Sequence, residues 1–421
     1  MSFSELGVAS PLCVHLAAIG YTEPTPVQDA SIPLVLSGAD LLARAQTGTG
    51  KTAAFGLPMI QRLMAQRRRA AGPRPLGLVL VPTRELAAQV ERALTRYGSP
   101  MSVRVAAIFG GVSMSGQVKA LARGVDIVVA TPGRLIDHLQ RRTIDLSSVQ
   151  ILTLDEADRM LDMGFLPPLR RVLQALPPSR QTLLFSATLS RDVVELSRQF
   201  TREPQRVDVS TVDPVAPTIT HRIHAVEPDG KRALLQRVLS EARGQALVFC
   251  KTRRGADRVG RHLNEAGIRT AVIHGDKAQG ARGRSLADFK TGRVTTLVAT
   301  DIAARGLDIA QLPLVVNYDL PLVPEDYIHR VGRTGRAGAS GRAISLVTGA
   351  DRHLLHDIQR LLPAPLEYAG SGGLEPAAVS EPQHARRPFN RSQQAPSGTR
   401  RPGNAGRFRT RQRVRLQSRL P

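Results

Sequence analysis

The fold is decided by a short apolar run that leads into a glycine-rich turn: Leu41-Leu42-Ala43-Arg44-Ala45-Gln46-Thr47-Gly48-Thr49-Gly50-Lys51-Thr52. From Ala45 to Thr52 the segment fits a phosphate-binding loop, except that the strict pattern begins with glycine. Glycines let backbone amides crowd a phosphate at the start of a helix. The pattern predicts that these eight residues bind a nucleotide, with Lys51 on the β- and γ-phosphates and Thr52 on Mg²⁺. A glycine-rich turn without a ligand is the alternative.

Further apolar runs give the fold class. They lie at residues 78–81, 127–130, 151–154, 182–185, 246–249, 270–273, 296–299, 314–316 and 343–347. Continuous runs separated by helical stretches are typical of parallel strands buried on both faces. We therefore predict an α/β fold of two tandem domains, residues 1–207 and 219–365, each a mostly parallel sheet between helices. A linker with Pro214 and Pro217 would join them at 208–218.

A second candidate site follows the run at 151–154, where the chain reads Asp155-Glu156-Ala157-Asp158. Ligands of such sheets bind beyond the carboxyl ends of the strands, so we expect this acidic segment beside the phosphate-binding loop. Because a buried carboxylate needs a cation, Asp155 is predicted to hold Mg²⁺ and Glu156 to orient the attacking water. Taken alone, the four residues could equally be a solvated helix start.

The composition indicates a basic protein of the cytoplasm. The 421 residues include 58 Lys and Arg against 35 Asp and Glu, a formal net charge of +23, and 42% of them are hydrophobic. Two cysteines, Cys13 and Cys250, exclude a disulfide framework and a cysteine-rich zinc site. The N-terminus lacks a signal-peptide pattern, and no apolar run approaches the ~18 residues of a membrane span. We expect a cytoplasmic location.

The C-terminal segment, residues 366–421, has a composition of its own. From Ala369 onwards it contains eleven Arg and two Glu among Gly, Pro, Ser and Gln. Such a sequence buries too little apolar surface to offset its ordering entropy, so we expect a disordered tail. Clustered positive charge of this kind binds phosphate backbones. The alternative is a tail that only keeps the protein soluble.

Short motifs follow most of the other predicted strands. The first domain contains Gly20-Tyr21-Thr22-Glu23-Pro24-Thr25-Pro26-Val27-Gln28 with Phe3 upstream, Pro82-Thr83-Arg84-Glu85-Leu86-Ala87, Gly110-Gly111, Thr131-Pro132-Gly133-Arg134 and Ser186-Ala187-Thr188. The second contains Val248-Phe249-Cys250, His274-Gly275-Asp276-Lys277, Thr300-Asp301-Ile302-Ala303-Ala304-Arg305-Gly306-Leu307-Asp308 and His329-Arg330-Val331-Gly332-Arg333-Thr334-Gly335-Arg336. In this order the motifs resemble those of the DEAD-box RNA helicases. Taken together, the motif sequences are most similar to those of the bacterial RhlE-like group. The resemblance implies two RecA-like domains.

The resemblance also implies the partners of an ATP site. The amide of Gln28 would read the adenine base, and Phe3 would lie against that base, unless its ring only packs in the core. Asp308 would take the ribose hydroxyls. Arg333 and Arg336 would reach the γ-phosphate when the cleft between the domains closes and would neutralise charge in the transition state. A contact to the RNA backbone is the alternative for that arginine loop.

An RNA surface is implied as well, made of glycines, hydroxyls and arginines that suit a sugar-phosphate backbone. Its members are Pro82, Thr83, Arg84, Gly110, Gly111, Thr131, Arg134 and Thr300, with Arg253 and His274 as weaker candidates. Aromatic residues make up 4% of the chain and Trp is absent, so base-stacking platforms are scarce. Four residues would couple the ATP site to RNA: Ser186, Thr188, Asp158 and His329. Caps of the next helix are the alternative for Ser186 and Thr188.

The function implied is ATP-dependent unwinding of short RNA duplexes or remodelling of RNA–protein complexes, by closure of two domains around both ligands. Proteins of ribosome assembly or RNA decay would be its partners. A DNA helicase on the same fold is one alternative. A non-hydrolysing RNA clamp is another, but such a protein should have lost Lys51, Glu156 or Arg333, and all three are present.

Overall fold

The computed structural model describes residues 1–46, 48–66, 74–209, 219–304, 309, 312–335, 340–362 and 366–369. All of these described residues belong to one compact unit. Within the described ranges, the strands form two separate sheets of seven parallel strands each. We call residues 1–209 the first half and residues 219–369 the second half. The predicted α/β class with two parallel sheets is confirmed.

The first sheet has the spatial order β3-β4-β2-β5-β6-β1-β7. Its strands are β1 (Leu41–Arg44), β2 (Gly77–Leu80), β3 (Val105–Ile108), β4 (Ile127–Ala130), β5 (Ile151–Leu154), β6 (Gln181–Ser186) and β7 (Gln205–Asp208). Successive side chains of a strand enter different hydrophobic clusters: Leu41 and Ala43 join one cluster and Leu42 joins the other. Burial on both faces explains why the predicted runs are continuous.

Helices alternate with these strands and cover both faces of the sheet. They are α1 (Ser10–Ala18), α2 (Pro26–Ser37), α3 (Lys51–Gln66), α4 (Arg84–Gly98), α5 (Met114–Ala122), α6 (Pro132–Gln140), α7 (Ala157–Asp162), α8 (Leu166–Gln174) and α9 (Arg191–Phe200). Local capping fixes where some of them begin. The Thr83 hydroxyl accepts from Leu86 N at the start of α4, and the Ser190 hydroxyl accepts from Val193 N at the start of α9.

The second half repeats this architecture with the spatial order β10-β11-β9-β12-β13-β8-β14. The strands are β8 (Ile219–Ala225), β9 (Ala246–Phe249), β10 (Thr270–Ile273), β11 (Thr296–Ala299), β12 (Leu314–Asn317), β13 (Gly341–Val347) and β14 (Glu367–Tyr368). The helices are α10 (Lys231–Glu241), α11 (Arg253–Glu265), α12 (Gln279–Lys290), α13 (Asp301–Ala304), α14 (Pro324–Val331) and α15 (Arg352–Leu361). Among the described helices, none combines the length and the apolar character that crossing a membrane requires.

Each predicted apolar run lies in or overlaps a strand, but β3, β7, β8 and β14 were not predicted. Three of these four lie at the edges of their sheets. Edge strands are held by main-chain pairing on one side and need no continuous apolar run. In β7 only Val207 is buried. Asp208, the first residue of the predicted linker, is therefore the last residue of a strand.

The predicted tail also begins with structure. Glu367 and Tyr368 pair with β8, and Ala369 N donates to Ile223 O at 3.0 Å. The prediction of disorder from residue 366 is therefore wrong for these first residues, because main-chain pairing does not depend on apolar side chains. The rest of the predicted linker, 210–218, and the rest of the tail, 370–421, lie outside the described residues.

Candidate functional site

Three motifs meet at the carboxyl edge of the first sheet because β5, β6 and β1 are neighbours. The glycine-rich loop follows β1, the acidic segment follows β5, and Ser186 ends β6. Ala45 N donates to Ser186 O at 3.0 Å, which ties the start of the loop to the end of β6. The sheet order thus brings together residues that are more than a hundred positions apart in sequence, as the rule for parallel sheets predicts.

The loop has the backbone that a phosphate cradle requires. Gly48 and Gly50 have φ angles of 85° and 95°, in the left-handed region that glycine adopts without strain. A β-carbon at Gly50 would also collide with the amide of Gln28. The Thr49 hydroxyl donates to Gln46 O at 2.7 Å. Thr52 is the second residue of α3, so its hydroxyl belongs to the first turn of that helix. Thr47 lies outside the described residues.

Lys51 and Asp155 form the buried charged centre of this edge. Lys51 Nζ lies 3.9 Å from Asp155 Oδ1, and the side chains are 6% and 4% exposed. Within the described part of the chain, the lysine ammonium has no hydrogen-bond partner. Burial raises the pKa of Asp155 to about 6, against the opposing effect of the Lys51 charge. A buried ammonium without a partner beside a carboxylate fits a phosphate group and a metal ion.

ATP and Mg²⁺ fit these residues. Lys51 and the loop amides would hold the phosphates, and Thr52 and Asp155 would hold the ion. Among the described side chains, no cluster of three or more His, Cys, Asp and Glu could hold a metal by itself. The site would therefore hold Mg²⁺ together with phosphate and water oxygens, which is the usual binding mode of that ion.

Glu156 has an unusual backbone and a charged partner. Its φ and ψ of 56° and 51° lie in the left-handed region, which costs energy for a residue with a β-carbon. Arg159 Nη1 donates to Glu156 Oε2 at 2.6 Å. Burial alone would raise the pKa of Glu156, but the charges of Arg159, Lys51 and Arg333 outweigh it and hold the pKa below its usual value. Glu156 is thus kept as a carboxylate able to accept a hydrogen bond.

Asp158 connects the acidic segment to the segment after β6. Its Oδ2 accepts from Ala187 N and Thr188 N, both at 3.0 Å, and from the Thr188 hydroxyl at 3.2 Å. Ser190, not Ser186 or Thr188, caps the following helix, so the capping alternative is wrong. The Ser186 hydroxyl is buried and has no hydrogen-bond partner among the described residues. Asp158 and Thr188 therefore lie in one hydrogen-bonded group, and Ser186 ends the strand that leads into it.

Gln28 is fixed against the loop, and Phe3 is part of the core. Gln28 Oε1 accepts from Thr25 N at 3.0 Å, and Nε2 donates to Gly50 O at 3.1 Å. Each amide atom retains capacity for one more hydrogen bond, which adenine recognition would use. Phe3 is 4% exposed and lies in the same hydrophobic cluster as Val27. Contacts of Gln28 and Phe3 with a base stay predictions.

The predicted RNA residues of the first half lie at the other side of the same sheet edge, after β2, β3 and β4. Arg84 lies against Gly110 and Gly111, and a side chain at Gly111 would collide with its guanidinium. Arg134 Nη1 donates to Val112 O at 3.1 Å, and Thr131 starts α6. The loops that carry Pro82, Thr83, Gly110, Gly111 and Thr131 thus form one surface.

In the second half, Arg253, His274 and Thr300 follow the neighbouring strands β9, β10 and β11. Arg253 Nη1 donates to Asp276 Oδ1 at 2.5 Å, and His274 Nε2 lies 3.0 Å from Asp257 Oδ2. Both weaker candidates are therefore engaged within the protein. Thr300 is mostly buried at the start of α13.

Arg333 and His329 of the second half reach the ATP side. Both line a small space together with Arg159 of the first half, and His329 lines a second space with Glu156 and Asp158. Arg330 anchors α14 beneath them, because it donates to both carboxylate oxygens of Asp301. Asp308 and Arg336 lie outside the described residues.

One contact between the halves was not predicted from the sequence. Arg282 Nη2 lies 3.0 Å from Glu85 Oε1, and Gln279 Nε2 donates to the same oxygen at 2.9 Å. The Arg282 and Glu85 side chains are 10% and 9% exposed. Glu85 was visible in its motif, but no pattern in α12 identifies Gln279 or Arg282 as its partners. The contact links the RNA side of the first sheet to the second half.

A phosphate-binding loop and an acidic segment on one RecA-like sheet, faced by an arginine from a second such sheet, define the class of tandem RecA-like nucleotide hydrolases. Residues 25–196 match the family model described as DEAD/DEAH box helicase, and residues 230–338 match the helicase conserved C-terminal domain.

Relatives and a solved structure narrow the class. The chain is 44% identical over 88% of its length to the DEAD-box ATP-dependent RNA helicase 30 of Arabidopsis thaliana, of which it spans 66%. It is 41% identical over 87% of its length to the DEAD-box ATP-dependent RNA helicase CshA of Geobacillus kaustophilus, spanning 78% of that protein. S. cerevisiae Dbp5 bound to RNA and ADP BeF3 superposes with a TM-score of 0.77 at 30% identity, covering 87% of this chain and 95% of that one. The chain belongs to the DEAD-box family of ATP-dependent RNA helicases.

Proposed function

We propose that this protein hydrolyses ATP when RNA is bound and uses the reaction to separate short RNA duplexes or to remodel RNA–protein complexes. The observation that carries the proposal is the meeting of Lys51, Asp155 and Glu156 with Arg333 and His329 between the two halves. A site divided in this way is complete only when the halves are together, which is how binding of RNA can control hydrolysis.

The roles follow from the chemistry of the side chains. Lys51 binds the β- and γ-phosphates, while Thr52 and Asp155 hold Mg²⁺. Glu156 orients the water, and Arg333 stabilises the charge that develops on the γ-phosphate. Arg336 and Asp308 are proposed as a second arginine finger and a ribose ligand on sequence grounds alone.

RNA is proposed to bind through its backbone, without base specificity. The loops after β2, β3 and β4 offer glycines, hydroxyls and arginine donors rather than stacked aromatics. The Glu85–Arg282 contact lies beside this surface and would help to keep the halves closed around the strand.

Strand separation tests this function. With a labelled duplex of about ten base pairs, we expect release of a strand with Mg²⁺–ATP and none without nucleotide. Lys51→Ala should abolish release in a protein that still folds, because the phosphates lose their buried cation. Release by the Lys51→Ala variant at the parental rate would show that the phosphate site is assigned wrongly. Equal ATPase stimulation by single-stranded DNA and RNA would favour a DNA helicase instead.

Finer assignments extend this proposal. From the motif sequences taken together, we infer that the protein belongs to the bacterial RhlE-like group. From the cysteine content, we infer a cytoplasmic location. We also infer that its RNA clients take part in ribosome assembly or RNA decay. We also infer domains at 1–207 and 219–365 joined by a linker at 208–218, and an Arg-rich tail that holds RNA. Crosslinking and sequencing of the RNA bound in the cell would identify the clients.

A further inference from the structure

Arg159 is a buried arginine to which the sequence assigned no role. Its Nη1 donates to Glu156 Oε2 at 2.6 Å, and both side chains are only 7% exposed. Taking two charges out of water is costly, and a buried ion pair contributes little net stability compared with apolar side chains. We propose that Arg159 is a positioning residue that fixes the carboxylate of Glu156 for alignment of the attacking water. The proposal rests on the ATPase activity proposed above.

The backbone of Glu156 explains why its carboxylate needs such a partner. Glu156 is the N-cap of α7 and has left-handed φ and ψ, so it lies outside the helix that begins at Ala157. A glutamate has three side-chain torsions, and the backbone fixes none of them. Among the described residues, Arg159 is the hydrogen-bond partner that the carboxylate has. A guanidinium is suited to this task because its planar donors match a carboxylate.

Arg159 also lies where the second half can act on Glu156. Both small spaces between the halves are lined by Arg159 together with Asp326 and His329 of α14. The Arg159 guanidinium and Glu156 thus both face α14, the helix that leads to Arg333. Docking of the second half confines the guanidinium, and through it the carboxylate.

The first test replaces Arg159 and measures RNA-stimulated ATP hydrolysis. For Arg159→Gln we expect kcat to fall by ~10- to 100-fold with the KM for ATP changed by less than ~3-fold, because a displacement of about 1 Å at a reacting group can cost ~100-fold in rate. Arg159→Lys should recover part of the loss by keeping the charge. Arg198→Gln is the matched control: Arg198 forms the same i,i+3 pair with Glu195, but at 3.6 Å and with the side chains 75% and 59% exposed. It should leave kcat unchanged.

A double-mutant cycle separates positioning from a general structural effect. If Arg159 acts through Glu156, adding Arg159→Gln to Glu156→Gln should not lower the single-turnover rate further. Multiplying losses would overturn the proposal, as would a parental kcat in Arg159→Gln. If Arg159→Gln fails to fold, Arg159→Lys decides: a folded variant with parental kcat and KM overturns the proposal, and a reduced kcat alone supports it. Absence of RNA-stimulated hydrolysis in the parent would instead refute the proposed function.

Discussion

Asp155, the proposed Mg²⁺ ligand, is a buried carboxyl group whose charge lowers the stability of the folded protein. Burial raises its pKa to about 6, above the ~3.9 of an unfolded chain. The folded protein therefore binds the proton more tightly, and the stability of the fold decreases as the pH rises from ~4 through about 6. Without nucleotide and Mg²⁺, Asp155→Asn should melt at a higher temperature than the parent at pH 7.5, and the difference should shrink towards pH 4.

Asp145→Asn is the control for that melting experiment. A hydrogen bond from Ser147 N lowers the pKa of Asp145, so this substitution should slightly destabilise the protein at pH 7.5 and not at low pH. Adding Mg²⁺–ATP should stabilise the parent more than Asp155→Asn, because the variant lacks one of the two proposed metal ligands. A pH-independent difference between the parent and Asp155→Asn would show that ionisation of this buried carboxyl group does not lower the stability.

Gln28 is the residue expected to select the base. Gln28→Ala should raise the KM for ATP and reduce the preference for ATP over GTP, because the amide that pairs with adenine is removed. Kinetics with both nucleotides measure the effect. Gln181→Ala is the matched control, since Gln181 is also buried and donates to the main chain of Val35 and Ala39 away from the loop. An unchanged preference in Gln28→Ala would remove Gln28 from the base site.

At the scale of elements, α7 and the segment after β6 are joined through Asp158. Asp158→Ala would leave Ala187 N and Thr188 N without their acceptor, so we expect duplex release per ATP hydrolysed to fall several-fold while ATP binding persists. The ratio of the two rates is the measurement. Asp192→Ala, at an exposed position in α9, is the control and should leave the ratio unchanged. An unchanged ratio in Asp158→Ala would show that this contact does not couple ATP hydrolysis to duplex release.

The elements also show what a sequence can predict. Central strands such as β2 and β4 are apolar on both faces and were predicted, together with the loops that follow them. Edge strands such as β7 and β14 depend on main-chain pairing and left no apolar run. The Glu85–Arg282 pair could not be predicted, because it depends on how the two halves meet. The burial of Arg159 could not be predicted for the same reason, because it depends on α14 of the second half packing near that side chain.

For the whole molecule, the C-terminal segment is expected to hold RNA without taking part in hydrolysis. Deleting residues 370–421, after the last residue that pairs with β8, should raise the RNA concentration for half-maximal ATPase and leave kcat unchanged. The dependence of log K on log salt should also flatten, by ~0.7 for each RNA phosphate that the deleted arginines no longer neutralise. RNA binding measured at several salt concentrations tests this prediction. Superimposable plots of log K against log salt for the two proteins would show that the segment only keeps the protein soluble.

At the scale of the two halves, we propose that an arginine from the second half completes the ATP site of the first. It is tested most directly by kcat and KM for ATP at saturating RNA in Arg333→Ala. Arg333 is 6% exposed, and its charge acts on Glu156 across the halves. We expect a loss of ~10³-fold or more in kcat with little change in KM, because the finger acts on the transition state. Arg342→Ala, at an exposed position in β13, should behave as the parent. An intact kcat in Arg333→Ala with weakened RNA binding would contradict the claim.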